Sequence, residues 1–490
     1  MATSTLKYGT SGYERGPGPG VAVTLLLLFG AMCGVGIAVG EVQAMLASVA
    51  LIAAIAAMID FRAGAVFLMV LLPIASVSFF PRGMFGFTGL NPINLLMAAT
   101  LASFVMRGRR LSLLTPRPLL LLYVLPLVVA GVIGSRHVDD IVPFYYEMLL
   151  IHFVDGAGYL RDLLLKPLIM ILIAMLVGAA VAQSQKPERF LAPIIIAVWV
   201  MSLTAIGLVV ISGVRLGELA GTGSRDFFST LGMHANDLGR MYAVAYALLL
   251  FTWGETKDKA LKTLLVVTMS VLTIALLLTF SRGAFVGFML INGLFLLWKF
   301  NARTLAIACL VATVGLLFMP GAVISRLMLG FTGGGDANTV SAGRIDEIWG
   351  PLMLSDFWKS PLWGNGLDSV MWADAAWNGT MLLVTHPHNA YMQAFLDMGL
   401  LGFGLALAYF WTVYRGLLAL GSNAYLSPTL RGFFQGAVAG LLCFLVTGMA
   451  GSSLRPVPEF AFLWLAIGMM YGMRARIPEK STTGAAQPKP

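Results

Sequence analysis

The chain has 490 residues, of which 58% are hydrophobic and only 11% are charged. A water-soluble domain carries about 25% charged residues, so this composition cannot supply a water-facing surface. The net charge of +9 does not indicate nucleic-acid binding, because the basic residues stand in short loops between apolar runs. The three cysteines all lie inside apolar runs, which argues against a disulfide framework. The composition indicates an integral membrane protein.

Apolar runs recur along the whole chain, and each crossing of the bilayer needs about 20 residues. Backbone groups inside lipid must pair within their own segment, which favours helices, and the runs do not alternate as barrel strands do. We predict an all-α polytopic membrane protein with about 14 transmembrane helices. The predicted spans are 21–39, 43–60, 64–80, 92–106, 118–134, 166–184, 190–212, 238–254, 261–280, 284–299, 303–319, 392–414, 432–450 and 457–473. Residues 1–20 are predicted to be a disordered cytoplasmic leader, and residues 477–490 a disordered cytoplasmic tail.

Lysine and arginine in the short loops fall on alternate sides of consecutive spans, all on one face, which the positive-inside rule assigns to the cytoplasm together with both termini. The pair 261–280 and 284–299 has an alternative interpretation, a single long kinked helix, because only three residues separate the two runs. The longer loops, at about 135–165, 213–237 and 320–391, then lie on the outer face. The largest of them falls between spans 11 and 12, and its residues 341–358 are predicted to form an amphipathic helix.

Arginines on the outer face go against the positive-inside bias, so each needs a reason. Arg282 follows a span, where a cation at a helix C-terminus would complement the macrodipole. Alternatively it holds an anion, because a guanidinium presents a fixed fork of donors that matches phosphate oxygens. Arg225 and Arg344 stand in two other outer loops and are candidates for the same anion site.

His388 is the candidate general base, because a histidine titrates near neutral pH and can take a proton from a hydroxyl. With His386 it forms an H-x-H pair, yet no neighbouring cluster supplies the third ligand that zinc requires. We therefore predict no metal site and no cofactor. Ionisable residues are nearly absent from the middle of the spans, which lowers the expectation of an ion-coupled transporter.

Four segments, which together cover roughly residues 215–410, resemble one known family, the O-antigen ligase and polymerase superfamily. Residues 279–284 (Thr-Phe-Ser-Arg-Gly-Ala) look like its S-R-G-A signature. Residues 341–366, with Gly-Arg, then Trp349 and Pro-Leu-Trp-Gly-Asn-Gly, look like its G-R…W…P-L-x-G-x-G stretch. Residues 386–402 look like its H-N-x-Y-L-Q…G-L-x-G stretch. Arg225 with 234–236 is similar to its R…N-P-N segment, although His-Ala replaces Asn-Pro here and the spacing is slightly long.

The resemblance implies a metal-independent glycosyltransferase domain, here over residues 21–476, in the bacterial inner (cytoplasmic) membrane with its active side periplasmic. The implied donor is a glycan on undecaprenyl diphosphate, and the acceptor is lipid A–core for a ligase or the next repeat unit for a polymerase. His388 would activate the acceptor hydroxyl, and arginines would hold the diphosphate. The same motifs make Asn389, His386 and Asn236 candidates for substrate binding. Ligase and polymerase are not distinguished by these residues.

The sequence is also compatible with two other functions. A transporter or flippase for a lipid-linked or anionic substrate would move its substrate without forming a glycosidic bond. A non-catalytic membrane scaffold would use the long outer loop to recruit partners, and would tolerate replacement of Arg282 and His388.

Overall fold

The computed structural model describes residues 42–78, 80–84, 87–220, 227–299 and 343–476, and the single residues 305, 321, 324, 338 and 341. In these ranges the regular secondary structure is helical, apart from a short hairpin of β1 (Gly83–Met84) and β2 (Phe87–Thr88), and loops join the helices. The long helices are α1 (Val42–Ile59), α2 (Phe61–Ile74), α3 (Pro92–Met106), α4 (Arg117–Gly134), α5 (Gly156–Gln183), α6 (Pro187–Ser212), α7 (Ala235–Glu255), α8 (Lys259–Leu278), α9 (Arg282–Trp298), α10 (Ala390–Gly421), α11 (Pro428–Gly448) and α12 (Ala461–Arg476).

Six of these helices, α4, α5, α6, α8, α10 and α11, are long and apolar enough to cross a membrane. The prediction of an all-α membrane protein is therefore confirmed. A helix also stands at every predicted span within the described ranges. Spans 21–39 and 303–319, the leader 1–20 and the tail 477–490 lie outside the described residues, so the count of about 14 crossings stays a prediction.

The core of the bundle is built on close approach of helices at small residues. α7 packs along α11, and α5 packs along α12. A Cβ added at Gly436 of α11 would lie 2.5 Å from the carbonyl oxygen of Ala247 in α7, and one at Gly468 of α12 would lie 1.9 Å from that of Ala174 in α5. Small residues at such contacts let helix backbones meet, which is the main source of packing energy between helices in lipid.

The two helices that follow α7 form an antiparallel pair, which excludes the single kinked helix. A Cβ on Gly239, near the start of α7, would lie 3.2 Å from the Cβ of Ser281, just before α9 begins. At the other end, the Lys299 ammonium pairs with the carboxylate of Glu255, where α7 ends. Helix α9 runs alongside α7 and in the same direction. Helix α8, which connects them along the chain, must therefore run in the opposite direction. Two separate segments are therefore present, as the sequence predicted.

Basic residues that the sequence assigned to one face do meet at shared ends of helices. Glu255 pairs with Lys299 and with Arg431, and Arg431 lies in the first turn of α11. Arg476, at the end of α12, donates to the carbonyl oxygen of Ser184 just after α5. These groupings agree with the alternation used to orient the chain, whereas the side of the membrane that each end occupies stays a prediction.

Helix α10 is interrupted at Gly399, whose φ of 64° and ψ of −174° are not helical. The backbone groups freed by this break are taken up by the loop segment 361–366. Leu400 N donates to Pro361 O at 2.8 Å, and Asn365 N donates to Leu396 O at 2.7 Å. A Cβ at Gly399 would lie 2.4 Å from the carbonyl carbon of Leu362. The glycine-rich motifs of both segments thus join the loop before α10 to α10 itself.

Candidate functional site

The segment that leads into α10 carries the two candidate histidines. Asn389 is the N-cap of α10, since its side-chain oxygen accepts from Tyr391 N at 3.1 Å and Met392 N at 3.2 Å. His388 has a positive φ of 54°, an uncommon conformation for a residue with a side chain. Its ring centroid lies 4.3 Å from that of His386. The two imidazoles therefore lie side by side in the segment that ends at the N-cap of α10.

Arg344 precedes a helical segment, Ile345–Trp349, that contacts this histidine loop. Trp349 Nε1 donates to Pro387 O at 2.7 Å, between the two histidines, and Leu382 N donates to Glu347 O at 2.8 Å. The helical turn continues as Gly350–Ser355, with Ile348 and Leu352 buried. The amphipathic helix predicted at 341–358 is therefore present over most of that range.

The turn between α8 and α9 places Arg282 at the first position of α9. Ser281 is the N-cap and accepts from Ala284 N at 3.3 Å. The interpretation of Arg282 as a cation at a helix C-terminus is therefore wrong, because α8 already ends at Leu278. At a helix N-terminus the macrodipole is positive, so it does not stabilise a guanidinium but adds to the attraction for an anion.

The start of α7 contributes a further charged pair. His234 is the N-cap, and its Nδ1 accepts from Asn236 N at 3.2 Å. One turn later the buried Arg240 guanidinium pairs with the Asp237 carboxylate, and its Cζ lies 5.8 Å from the centre of the Phe460 ring. Arg240 thus anchors this end of α7 against the segment that precedes α12.

These segments come together at one end of the bundle, which we call the rim: the start of α7, the α8–α9 turn, the start of α10 and the end of α11. Gly239 contacts the α8–α9 turn at Ser281, as described above. A Cβ at Gly451, just after α11, would lie 2.3 Å from Arg240 Nη1. Tyr391 OH donates to Leu445 O at 2.5 Å, which ties the start of α10 to the end of α11. Helices α7, α9 and α10 therefore all direct their N-termini to the rim.

His386 belongs to the same electrostatic environment. Burial lowers the pKa of its imidazole; the charges of Asp237 and Asp368 act in the opposite direction, while Arg240 and His234 lower it further. Burial prevails, so the pKa of His386 lies below the ordinary histidine value. The neutral imidazole, which is the form that accepts a proton, is favoured.

A buried network behind the histidine loop was missed by the sequence analysis. Asp368, with a positive φ of 57°, accepts from Arg455 Nη2 at 2.5 Å. Next to it Ser369 N donates to the carboxylate of Asp397 at 3.3 Å, and Gln393 Nε2 donates to the same oxygen at 2.6 Å. These residues come from three distant parts of the chain. The only sequence signal was that charged residues stand near the ends of apolar runs.

The predicted site residues are distributed as follows. His386, His388 and Asn389 lie at the start of α10, Arg282 at the start of α9 and Asn236 in the first turn of α7, all at the rim. Arg344 adjoins them through the helical segment that carries Trp349. Arg225 lies outside the described residues. In the part of the chain that the structure describes, no group of three or more His, Cys, Asp or Glu side chains is arranged to hold a metal ion.

Comparison with known proteins gives one family. No curated protein matches the chain. The family model described as O-antigen ligase matches residues 264–407, a stretch that includes α8, α9, the outer-loop helix and the first half of α10 with its break. The resemblance to the O-antigen ligase and polymerase superfamily that was drawn from the sequence motifs is thereby confirmed, and the match lies over residues 264–407.

Proposed function

We propose that the chain transfers a glycan from undecaprenyl diphosphate to an acceptor hydroxyl on the periplasmic face of the bacterial inner membrane. It would act as an O-antigen ligase or as a polymerase of O-antigen or exopolysaccharide. The family match supports a transferase of this general type. The observation that carries the proposal is the rim, where three helix N-termini converge beside arginines and imidazoles. Such an arrangement suits a diphosphate, since backbone N–H groups and helix dipoles both favour negative charge there.

In the proposed site Arg282 and Arg344 contact the diphosphate, and Arg225 joins them from its outer loop. The N-terminus of α9 adds its own N–H groups beside Arg282, and the open space around Gly283 leaves room for a ligand. Asn236 and His386 line the same site. Asn389 contributes less directly, since its side-chain oxygen already caps α10, and only its amide N–H₂ is left for substrate.

The chemistry follows from these positions. The acceptor hydroxyl attacks the anomeric carbon of the donor sugar, and the bond from that carbon to the diphosphate oxygen breaks. The proton of the hydroxyl passes to His388, while undecaprenyl diphosphate leaves with the electron pair of the broken bond. Direct displacement inverts the anomeric configuration. The arginines stabilise the charge that develops on the leaving diphosphate, which is commonly the largest single contribution to catalysis of this kind.

The membrane arrangement is part of the proposal. Residues 21–476 form the transferase domain with about 14 crossings, and both termini are cytoplasmic. The loops at about 135–165, 213–237 and 320–391 are periplasmic, with the largest between spans 11 and 12. The rim then faces the periplasm, within reach of the head of a prenyl diphosphate embedded in the outer leaflet.

The test is a transfer assay on the purified full chain in lipid nanodiscs, with lipid-linked donor and acceptor. A His388→Ala variant is expected to lower kcat by about 10²- to 10⁴-fold, the usual contribution of a general base. His152→Ala is the matched control, because His152 is an exposed loop histidine outside the segments that form the rim. Full turnover by His388→Ala would remove His388 from its role. Movement of lipid in liposomes without any new bond would favour a flippase instead.

Replacement of Arg282 by Lys tests the anion site separately. A lysine keeps the charge but loses the fork of two N–H groups, so we expect turnover to fall about tenfold or more. The change should appear in the kinetics for the lipid-linked glycan donor and not in those for the acceptor. Arg161→Lys serves as the control, because Arg161 is exposed and paired locally with Asp162. Equal donor kinetics in wild type and Arg282→Lys would argue against a diphosphate at this turn.

A further inference from the structure

A second concave site lies beside the rim, in the outer loops. Its volume is about 300 Å³, which is the lower end of the range for pockets that bind small ligands. It lies between the loop that follows α4 and the segment 352–377, and neither His388 nor Arg282 lines it. Its lining includes the side chains of His137, Asp140, Lys359, Trp372, Asp374 and Trp377.

Two flat apolar surfaces in this cavity are held in fixed positions. The Trp377 ring is 52% exposed, and its Nε1 donates to Asp140 O at 2.7 Å, which sets the plane of the indole. The Trp372 ring is buried and stacks on His137 with a centroid separation of 5.7 Å and an angle of 14°. An exposed indole that the protein has already oriented loses little conformational entropy when a ligand stacks on it.

The carboxylates of the cavity are of two kinds, one that is buried and hydrogen-bonded to the loop backbone and two that are exposed. Asp356 is buried and accepts from Asp374 N at 2.8 Å and Ala375 N at 3.2 Å, and the Lys359 ammonium stands 2.8 Å from it. Lys359 also pairs with Asp374 at 2.6 Å. The side chains of Asp374 and Asp140 remain 54% and 62% exposed. One oxygen of each carboxylate is already engaged, that of Asp140 with His137 Nδ1 at 2.9 Å and that of Asp374 with Lys359, so the other oxygen of each is the one that can accept from a ligand.

The charge of this lining decides between ligand classes. Three carboxylates, those of Asp140, Asp356 and Asp374, face a single ammonium, that of Lys359. The surplus of negative charge disfavours a phosphate or another anion. A sugar ring meets both kinds of surface, since one of its faces carries C–H groups that pack on an indole and its hydroxyls donate to carboxylates. We propose that this cavity binds a pyranose ring of the donor or acceptor glycan.

The position of the cavity relative to the rim fits this assignment, which rests on the proposed function. Ser369 lines the cavity and donates to Asp397, while its neighbour Asp368 pairs with Arg455 behind the histidine loop. From the other side Tyr145 OH donates to Val384 O at 2.9 Å, two residues before His386. The cavity and the rim are therefore connected by direct contacts, so a glycan whose reacting end lies at the rim has this pocket nearby to hold one of its other sugar units.

The experiment measures binding without turnover. Saturation-transfer NMR is recorded on the full chain in nanodiscs with two probes, the oligosaccharide released from the lipid-linked donor and the glycan freed from the acceptor lipid. Trp377→Ala is expected to weaken binding of one probe about tenfold, and Trp377→Phe, which keeps a ring, to weaken it less. Asp374→Asn should weaken the same probe. Trp358→Ala is the matched control, because Trp358 is an exposed tryptophan of the same loop that does not line the cavity.

The probe that loses binding identifies the glycan that the pocket holds. Unchanged binding of both probes by Trp377→Ala and Asp374→Asn, at wild-type melting temperature, would overturn the proposal. The transfer assay is run in parallel so that the two hypotheses fail separately. Binding that depends on Trp377 in a wild-type chain that forms no glycosidic bond would sustain the pocket and reject the transferase. Transfer by Trp377→Ala with wild-type KM values would sustain the transferase and reject the pocket.

Discussion

Arg455 is the positive member of a nearly buried ion pair, with 13% of its side chain and of that of Asp368 exposed. Replacing Arg455 by Met would leave the Asp368 carboxylate without its partner. We expect a loss of about 3–5 kcal/mol in the free energy of unfolding, the usual cost of an uncompensated buried charge. Adding Asp368→Asn to the same chain should restore much of that loss. The measurement is denaturant unfolding in detergent, followed by tryptophan fluorescence.

The control for this cycle is the exposed pair of Arg161 and Asp162, in which 59% of the arginine side chain is exposed. Arg161→Met should cost less than about 1 kcal/mol, because solvent screens the pair. A double variant as unstable as Arg455→Met alone would mean that Arg455 acts through its own packing and not through Asp368.

His386 gives the rim a defined response to acid. Its folded-state pKa lies below the ordinary value of 6.5, with burial as the main cause. The unfolded chain therefore takes up the proton first, so the stability contributed by the neutral ring is fully present above about pH 6.5 and is lost as the pH falls below it. We expect the melting temperature of the wild type to drop as the pH falls below about 6.5, and that of His386→Gln to drop less. Parallel melting curves for the two proteins would contradict this account.

At this scale the sequence singled out Arg282 and His388 as candidates, and it did not single out Arg455, Asp368 or Asp397. The first two stand out locally, as an arginine on the face that should lack one and as a histidine before a span. The buried network is formed by residues that are 87 and 28 positions apart, and a single sequence carries no signal for such pairing. That Arg282 begins a helix did have a local signal, because Ser281 directly before it is a favoured N-cap residue.

Helix α10 depends on its break at Gly399. A side chain there would have to adopt a φ of 64° and would meet the backbone of Leu362 at 2.4 Å. We expect Gly399→Ala to destabilise the protein by more than about 1 kcal/mol, because positive φ and the steric overlap add. Gly404→Ala in the same helix is the control, since a Cβ there meets nothing within 4 Å and alanine favours a helix. Thermal unfolding of the two variants in detergent measures the difference.

If Gly399→Ala were as stable as Gly404→Ala, the backbone contact between α10 and the segment 361–366 would not be a fixed part of the fold.

This contact also explains why one predicted span, 392–414, corresponds to a helix of 32 residues with a kink. The apolar run is continuous, so the sequence shows no interruption. The break is made possible by backbone donors and acceptors from the outer loop, which no local pattern reveals.

The remaining helices were well predicted, for a physical reason. In lipid the length of an apolar run is set by the thickness of the hydrocarbon, so hydrophobicity alone locates the helices of the described residues. The bounds of α3, residues 92–106, agree with the prediction because Asn91 caps the helix and Pro92 fits its first turn. Helix–helix contacts such as that of Gly436 with α7 were not predicted, because they depend on which helices are neighbours.

The whole molecule is a bundle with two chemically different ends. At the rim three helices begin, and imidazoles, carboxylates and arginines meet. At the other end, Glu255 joins Lys299 and Arg431 and holds α7, α9 and the start of α11 together. Clusters of lysine and arginine in short loops mark the cytoplasmic side of membrane proteins, so the Glu255 end is expected to be cytoplasmic and the rim periplasmic.

This orientation can be measured with cysteine substitutions at exposed positions of the two ends. Asn378→Cys lies in the outer loop beside Trp377, and Lys257→Cys lies between α7 and α8; both residues are exposed, whereas the native Cys443 is buried. In intact spheroplasts a membrane-impermeant maleimide should label Asn378→Cys but should label Lys257→Cys only after the membrane is opened. The wild-type chain, treated in the same way, gives the background from its native cysteines. Labelling of Lys257→Cys from outside would place the rim in the cytoplasm. A donor displayed on the periplasmic side could not reach it there, and the proposed transfer would fail with the topology.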